Sequence, residues 1–197
     1  MSDVPSGLLA LSPLPTLPGL SGQRRREELA RDVVGAAYLR GDFVLSSGGR
    51  SRYFFDKYLF ATKPSILRRI ASLMAELVPP GTDRIAGPEL GGVPLATALS
   101  LEVGLPFVIV KKPAEGFGVA RPVEGELYAG EKVVVIEDVI STAAQAIRAA
   151  RQLTQTGAQV VAILAVIDRE QGGPENIAAA GYQFRALFRR RDLGLRE

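Results

Sequence analysis

Val133-Val134-Val135-Ile136-Glu137-Asp138-Val139-Ile140-Ser141-Thr142-Ala143-Ala144-Gln145 is the stretch that decides how this chain folds. Its first four residues are apolar and β-branched without interruption, as in a strand covered on both faces. Two carboxylates follow, then small and hydroxyl residues at a turn, then a helical pattern to about Thr156. A helix N-terminus offers unpaired N–H groups and the positive end of a dipole, so it receives a phosphate well. Ser141 and Thr142 can add hydroxyl donors. Glu137 and Asp138 share the sign of a phosphate, so they suit a sugar diol, whose hydroxyls they accept, or a cation. Phosphate and diol together describe a ribose phosphate. The plainer alternative is a helix capped by Ser141 or Thr142.

Outward from this stretch the alternation repeats. Arg84-Ile85-Ala86 reads as a strand, followed by the Gly-rich turn Gly87-Pro88-Glu89-Leu90-Gly91-Gly92 and a helix from Val93 to Val103. Phe107 to Val110 and Val160 to Val166 are further apolar strands. Strand–helix alternation implies a doubly wound parallel α/β sheet, whose ligands bind beyond the carboxyl ends of the strands. Upstream, Leu29, Ala30, Val33, Val34, Ala37 and Tyr38 carry helical spacing from about Arg26, with Gly41 as the stop. Phe43-Val44-Leu45 and Tyr53-Phe54-Phe55 read as short strands about the turn Ser46 to Gly49. A second helix runs from Pro64 to Leu77, closed by Pro79-Pro80. Residues 1–22 are rich in Pro, Gly, Ser and Leu with no clear period and no signal-peptide pattern; a mobile or loosely packed tail is expected there, ahead of one domain over 23–197.

Composition narrows the chemistry. Among the 197 residues there is neither Cys nor His. Thiolate catalysis, Ser-His-Asp triads and histidine-ligated zinc are excluded. Any metal must be held by oxygen, which favours magnesium or calcium. The absence of Cys fits a reducing compartment, and a cytoplasmic location is expected. No apolar run is long enough for a membrane helix. The net charge is +3, and the clusters Arg24–Arg26 and Arg189–Arg191 read as solvated surface rather than a nucleic-acid contact. The glycines between Gly125 and Lys132 lack the Lys-Ser/Thr of a Walker loop, and Gly116-Phe117-Gly118 lacks the third glycine of a dinucleotide fingerprint.

Val133 to Gln145 resembles the ribose-phosphate motif of the type I phosphoribosyltransferases: four apolar residues, two acids, two apolar residues, then hydroxyl and small residues. The resemblance implies that Glu137 and Asp138 contact the ribose hydroxyls and that Val139, Ile140, Ser141, Thr142, Ala143, Ala144 and Gln145 cradle the 5′-phosphate. Gly87 to Pro94 resembles the family's diphosphate loop, which brings in Glu89, Leu90 and Gly91; alone it is an ordinary strand–helix turn. Three more segments resemble the orotate-using branch. Ser47-Gly48 with Ser51 to Tyr58 is similar to its N-terminal hood, where one of Phe54 and Phe55 would pack on the pyrimidine and Lys57 would sit near diphosphate or base. Lys111-Lys112-Pro113 through Gly118 resembles the start of its mobile loop, which makes Lys111 and Lys112 catalytic candidates beside Asp138. Asp168-Arg169 resembles the segment whose arginine holds the orotate carboxylate, a task for a planar guanidinium; a surface ion pair is the alternative. The family implies phosphoribosyl transfer from 5-phosphoribosyl 1-pyrophosphate to orotate with magnesium bound through substrate and water, and a homodimer whose loop enters the partner's site.

Two places depart from the family pattern. Glu115 stands where the orotate enzymes carry a catalytic lysine, and Phe117 where they carry His or Tyr; Arg121 lies further along as a substitute cation. Ala143-Ala144 stands where the family has at least one glycine, and an alanine forced to positive φ costs roughly 1 kcal/mol. The intact acid pair, Lys57 and Arg169 point to an active transferase. Glu115 and the alanine pair point to a catalytically weak relative that binds nucleotide or ribose phosphate in a regulatory role.

Overall fold

The structure, a computed structural model, describes residues 22–44, 50–112 and 121–195. Expectations placed on the tail before Gly22, on Leu45 to Gly49 and on Pro113 to Ala120, which include Glu115 and Phe117, lie outside the described residues. Among the described residues six strands form one sheet, whose spatial order runs from Val123–Glu124 through Phe107–Val110, Arg84–Pro88, Lys132–Ile140 and Gln159–Asp168 to Phe184–Arg189. They are β3 (Arg84–Pro88), β4 (Phe107–Val110), β5 (Val123–Glu124), β6 (Lys132–Ile140), β7 (Gln159–Asp168) and β8 (Phe184–Arg189). All neighbouring pairs are parallel except β4 with the short edge strand β5. This is the mostly parallel α/β sheet that the alternating pattern implies.

Helices cover both faces. On one face α1 (Gly22–Ala37), α3 (Pro64–Ala75) and α4 (Gly92–Val103) enclose Leu29, Val33, Ile70, Met74 and Leu99 together with Val134, Ile136 and Leu164 from the sheet. On the other, α5 (Ala144–Gln155) and α6 (Gly173–Ala179) cover Val133, Val135, Ile163 and Ala165. Successive residues of β6 thus feed opposite cores, which is why the run Val133 to Ile136 contains no polar position. Helix α5 buries Ala146, Ala149, Ala150 and Leu153, an i, i+3, i+4, i+7 stripe whose small side chains let it lie close on the sheet.

A separate antiparallel hairpin, β1 (Tyr38–Val44) with β2 (Arg50–Phe55), leads into the five-residue helix α2 (Lys57–Ala61). Two expectations are corrected here. The first helix starts at Gly22 and stops at Ala37, and Gly41 does not end it. Gly41 lies in β1, where the register slips between Arg40 and Phe43, a role suited to a residue without a side chain. Strand β6 does not end at Ile136 but continues to Ile140, because β7 stays paired with it as far as Asp168. The cluster Arg24–Arg26 lies at the surface, with Arg24 and Arg26 exposed and Arg25 half-buried. Arg25 pairs with Glu76 at 2.7 Å, while Arg26 donates to the Leu187 carbonyl and lies 5.5 Å above the Phe188 ring. At the other end, Arg191 reaches Glu170 from a short 3-10 turn over Arg190–Leu193.

Candidate active site

From β3 the chain crosses through α4 to β4 on one side; from β6 it crosses through α5 to β7 on the other. The winding direction reverses between β3 and β6, where a doubly wound sheet opens a crevice at its carboxyl edge. The Glu89–Gly91 turn and the Ser141–Ala143 turn flank that crevice. Close backbone approach makes this possible. A Cβ on Gly91 would sit 1.7 Å from Oδ2 of Asp138, and one on Gly92 would sit 2.5 Å from the Ile136 carbonyl oxygen. The two loops are joined by the Gln145 amide, which donates to the Glu89 carbonyl at 3.0 Å.

Asp138 is 1% exposed. Its Oδ1 accepts from the Val139 N–H at 2.6 Å and from Lys57 Nζ at 3.2 Å. The Lys57 ammonium also lies 2.9 Å from Oδ2, an ion contact without hydrogen-bond alignment. Lys57 arrives from the hairpin because Asp56 caps α2, accepting from the Tyr58 N–H at 3.0 Å, and because the Asp56 N–H is tied to the Ala37 carbonyl at 2.8 Å. Burial works against the Lys57 charge, but Asp138 outweighs it and holds the ammonium pKa above its ordinary value. The sequence places Lys57 near diphosphate or base; its pairing with Asp138, across 81 positions, is new.

Glu137 is also buried, and its Oε1 has no hydrogen-bond partner among the described residues. Burial, and then the neighbouring Asp138 carboxylate, push its pKa up to about 8, against the partial relief of Lys57 and Lys112. The unfolded chain gives up this proton near the ordinary value of 4.5. Between these limits the folded state binds more protons, so stability falls as pH rises from about 4.5 towards 8. Chemical denaturation of the ligand-free, metal-free chain at pH 5.5 and 8 is expected to show that fall, and Glu137→Gln to flatten it. An equal slope in the variant would contradict the assignment.

Beyond Ile140 the chain turns into α5, whose N-cap is Ala143, not Ser141 or Thr142. Ala143 has no side chain to cap with and sits at φ +65°, the left-handed conformation that costs alanine roughly 1 kcal/mol or more. The first N–H groups of α5 thus keep no intrahelical or N-cap side-chain acceptor. The turn is braced from α6: the Asn176 amide donates to the Thr142 carbonyl at 3.0 Å, and Gly173 packs so close that a Cβ there would lie 2.4 Å from Ile140. Asn176 escaped the sequence reading, since a polar residue in a short exposed helix carries no signal of a distant carbonyl.

The remaining candidates separate. Phe55 packs into the core near Phe60, ring centroids 6.2 Å apart, whereas Phe54 is 42% exposed and tilts against Phe43. Phe54 is therefore the aromatic left for a flat ligand. Lys111 is engaged by Glu124 at 2.7 Å, while the Lys112 side chain is exposed. Leu90 is exposed at the tip of its turn, and the Glu89–Leu90 peptide is cis. Arg169 donates its backbone N–H to the Ile140 carbonyl at 2.8 Å, which sets this exposed residue at the same edge as the Ser141–Ala143 turn. No group of three metal-ligating side chains occurs among the described residues. No helix among them is long and apolar enough to cross a membrane.

The phosphoribosyl transferase domain family matches residues 60–180, and the chain belongs to that family. Within it the resemblance is to orotate phosphoribosyltransferases. That of Methanocella arvoryzae is 44% identical over 153 residues, covering 78% of this chain and 87% of its own. The fold is similar to that of the Mycobacterium tuberculosis H37Rv orotate phosphoribosyltransferase in complex with inorganic phosphate, with a TM-score of 0.79 at 31% identity, across 87% of this chain and 99% of that one. The same enzyme in complex with 5-phospho-α-D-ribosyl 1-diphosphate gives a TM-score of 0.75 at 31% identity with the same coverage. These likenesses favour the transferase over a regulatory ribose-phosphate binder.

Proposed function

We propose that this protein transfers the phosphoribosyl group of 5-phospho-α-D-ribosyl 1-diphosphate to orotate, giving orotidine 5′-monophosphate and diphosphate. A ring nitrogen of orotate bonds to ribose C1 and gives up its proton to the departing diphosphate or to water, as the bond from C1 to the diphosphate oxygen breaks. The observation that carries this reading is the buried acid pair at the end of β6, beside a helix N-terminus with no side-chain cap. Asp138 and Glu137 accept the ribose hydroxyls, and the Ser141–Gln145 turn receives the 5′-phosphate through backbone N–H groups. Positive charge gathering on the sugar is stabilised by the Asp138 carboxylate. Negative charge gathering on the diphosphate meets Lys57, Lys112 and the N–H groups of the Leu90–Gly91 turn.

The residues present fit magnesium carried by the substrate: the orphan Glu137 oxygen and the Asp138 carboxylate would accept hydrogen bonds from its waters and from the ribose hydroxyls. When bound, it would neutralise diphosphate charge.

Phe54 and Arg169 supply the orotate side, one stacking on the ring and the other pairing with the carboxylate. Arg169→Ala is expected to raise the orotate KM about ten- to a hundredfold, the worth of a hydrogen-bonded charge pair, and to leave donor affinity in calorimetry as it was. An unchanged KM would remove Arg169 from the site.

A homodimer belongs to the same reading. Helix α4 buries Leu95, Ala96 and Leu99 in the core, yet its outer stripe of Pro94, Ala98 and Leu101 is apolar too, with Leu101 66% exposed. An exposed apolar stripe opposite a buried face marks a contact surface, and a second copy is the occupant proposed. Light scattering at micromolar concentration should give the mass of two chains, and Leu101→Glu should shift it towards one. A native monomer would contradict the dimer.

A further inference from the structure

The polar groups of Glu89 are directed at three other segments. Its N–H donates to the Val110 carbonyl at 2.9 Å, at the end of β4. Its carbonyl accepts from the Gln145 side chain at 3.0 Å, in the first turn of α5. Its Oε1 accepts from the backbone N–H of Lys112 at 2.6 Å, the short length of a charge-assisted bond. A carboxylate beside loops that receive phosphate opposes anion binding, so its presence there calls for another task. Lys112 suggests what that task is. The chain before it is already anchored, since Lys111 donates its N–H to the Pro122 carbonyl at 2.9 Å and its carbonyl accepts from Gln152 at 3.3 Å. Beyond these ties, the Glu89 carboxylate sets the Lys112 backbone, and the Lys112 side chain is exposed with its ammonium within electrostatic reach of Glu137.

We propose that Glu89 is a positioning residue. It fixes the Lys112 backbone against the Leu90–Gly91 turn and the first turn of α5, so that the Lys112 ammonium meets the diphosphate in a single register. In this role Glu89 itself touches no substrate, an alternative to the diphosphate contact that the family resemblance implies. This inference rests on the transferase reading for its kinetic consequence but not for its structural one.

The test compares Glu89→Ala and Glu89→Gln in the full chain, by amide exchange of Lys112 in NMR without ligand and by steady-state kinetics per folded molecule. In Glu89→Ala the Lys112 amide should exchange at least about tenfold faster, because its acceptor is gone. Its kcat should fall about thirty- to a hundredfold, as misplacement near 1 Å does, with the orotate KM changed less than about twofold. Glu89→Gln keeps an oxygen that accepts the same N–H and should restore the protection and most of kcat. A glutamine variant as impaired as the alanine one would mean that the charge acts on the ligand, and the proposal falls. Unchanged exchange or unchanged kcat in Glu89→Ala overturns it as well. If the native chain consumes no orotate, the transferase reading fails, and the Lys112 exchange still decides whether Glu89 fixes that backbone.

Discussion

Gly91→Ala is expected to weaken donor binding at least about a hundredfold, an affinity loss of roughly 3 kcal/mol. The reason is steric and local. The added Cβ would lie 1.7 Å from Oδ2 of Asp138 and 2.6 Å from its Cγ. That carboxylate has no room to withdraw: it is 1% exposed, tied to the Val139 N–H and gripped by Lys57. Either the Glu89–Gly91 turn moves away from the crevice, or Asp138 leaves the position from which it would accept the ribose diol. Both separate the two groups that must hold one donor molecule. Gly35→Ala is the control: it lies in α1 with open space around its Cβ and an ordinary helical backbone. It should bind the donor as the native chain does and melt slightly higher, since alanine is the better helix former by about 1 kcal/mol. Native donor affinity in Gly91→Ala, read by calorimetry on a folded sample, would mean that the donor does not use this crevice.

Asp138→Asn is expected to raise the donor Kd about ten- to a hundredfold, the cost of losing a charged acceptor for the ribose hydroxyls. The amide keeps one oxygen, which at the Oδ1 position still accepts from the Val139 N–H, and sets an NH2 group at the Oδ2 position, 2.9 Å from the Lys57 ammonium. Lys57 keeps 38% of its side-chain surface in water, so its lost ion pair is largely replaced by hydration and global stability should change by about 1 kcal/mol or less. That separation of a large binding effect from a small stability effect distinguishes an acceptor of the diol from a structural aspartate. Unchanged calorimetric affinity would end its assignment.

The parallel core was legible because burial on two faces leaves no room for polar residues. Phe107 to Val110, Val133 to Ile136 and Val160 to Val166 therefore announce themselves as strands. The same rule hid the ends of β6 and β7. Glu137, Asp138 and Asp168 look like turn residues, yet ladder pairing from Glu137 with Ala165 to Ile140 with Asp168 keeps them in the sheet. Strand β8 was missed for the converse reason. As an edge strand it exposes Arg185 and Arg189, and half-charged alternation reads weakly as a strand. In the site, residue types on one contiguous stretch were readable: the acid pair in β6 and the Ser141–Ala143 turn between β6 and α5 lie together in the chain. Contacts across long separations were not: Lys57 with Asp138, Gln145 with Glu89 and Asn176 with Thr142 depend on the finished crossovers. The alanine at a left-handed position was foreseen as a cost. The brace from α6 that accompanies it became visible only in three dimensions.

Orotate consumption by the native chain, with 5-phospho-α-D-ribosyl 1-diphosphate and magnesium, tests the central claim most directly. Followed by orotate absorbance beside released diphosphate, it should show turnover with one diphosphate for each orotate lost and no loss when the donor is omitted. Absence of turnover at saturating substrates, from a folded chain that binds the donor, would contradict the account and leave a ribose-phosphate-binding protein in its place.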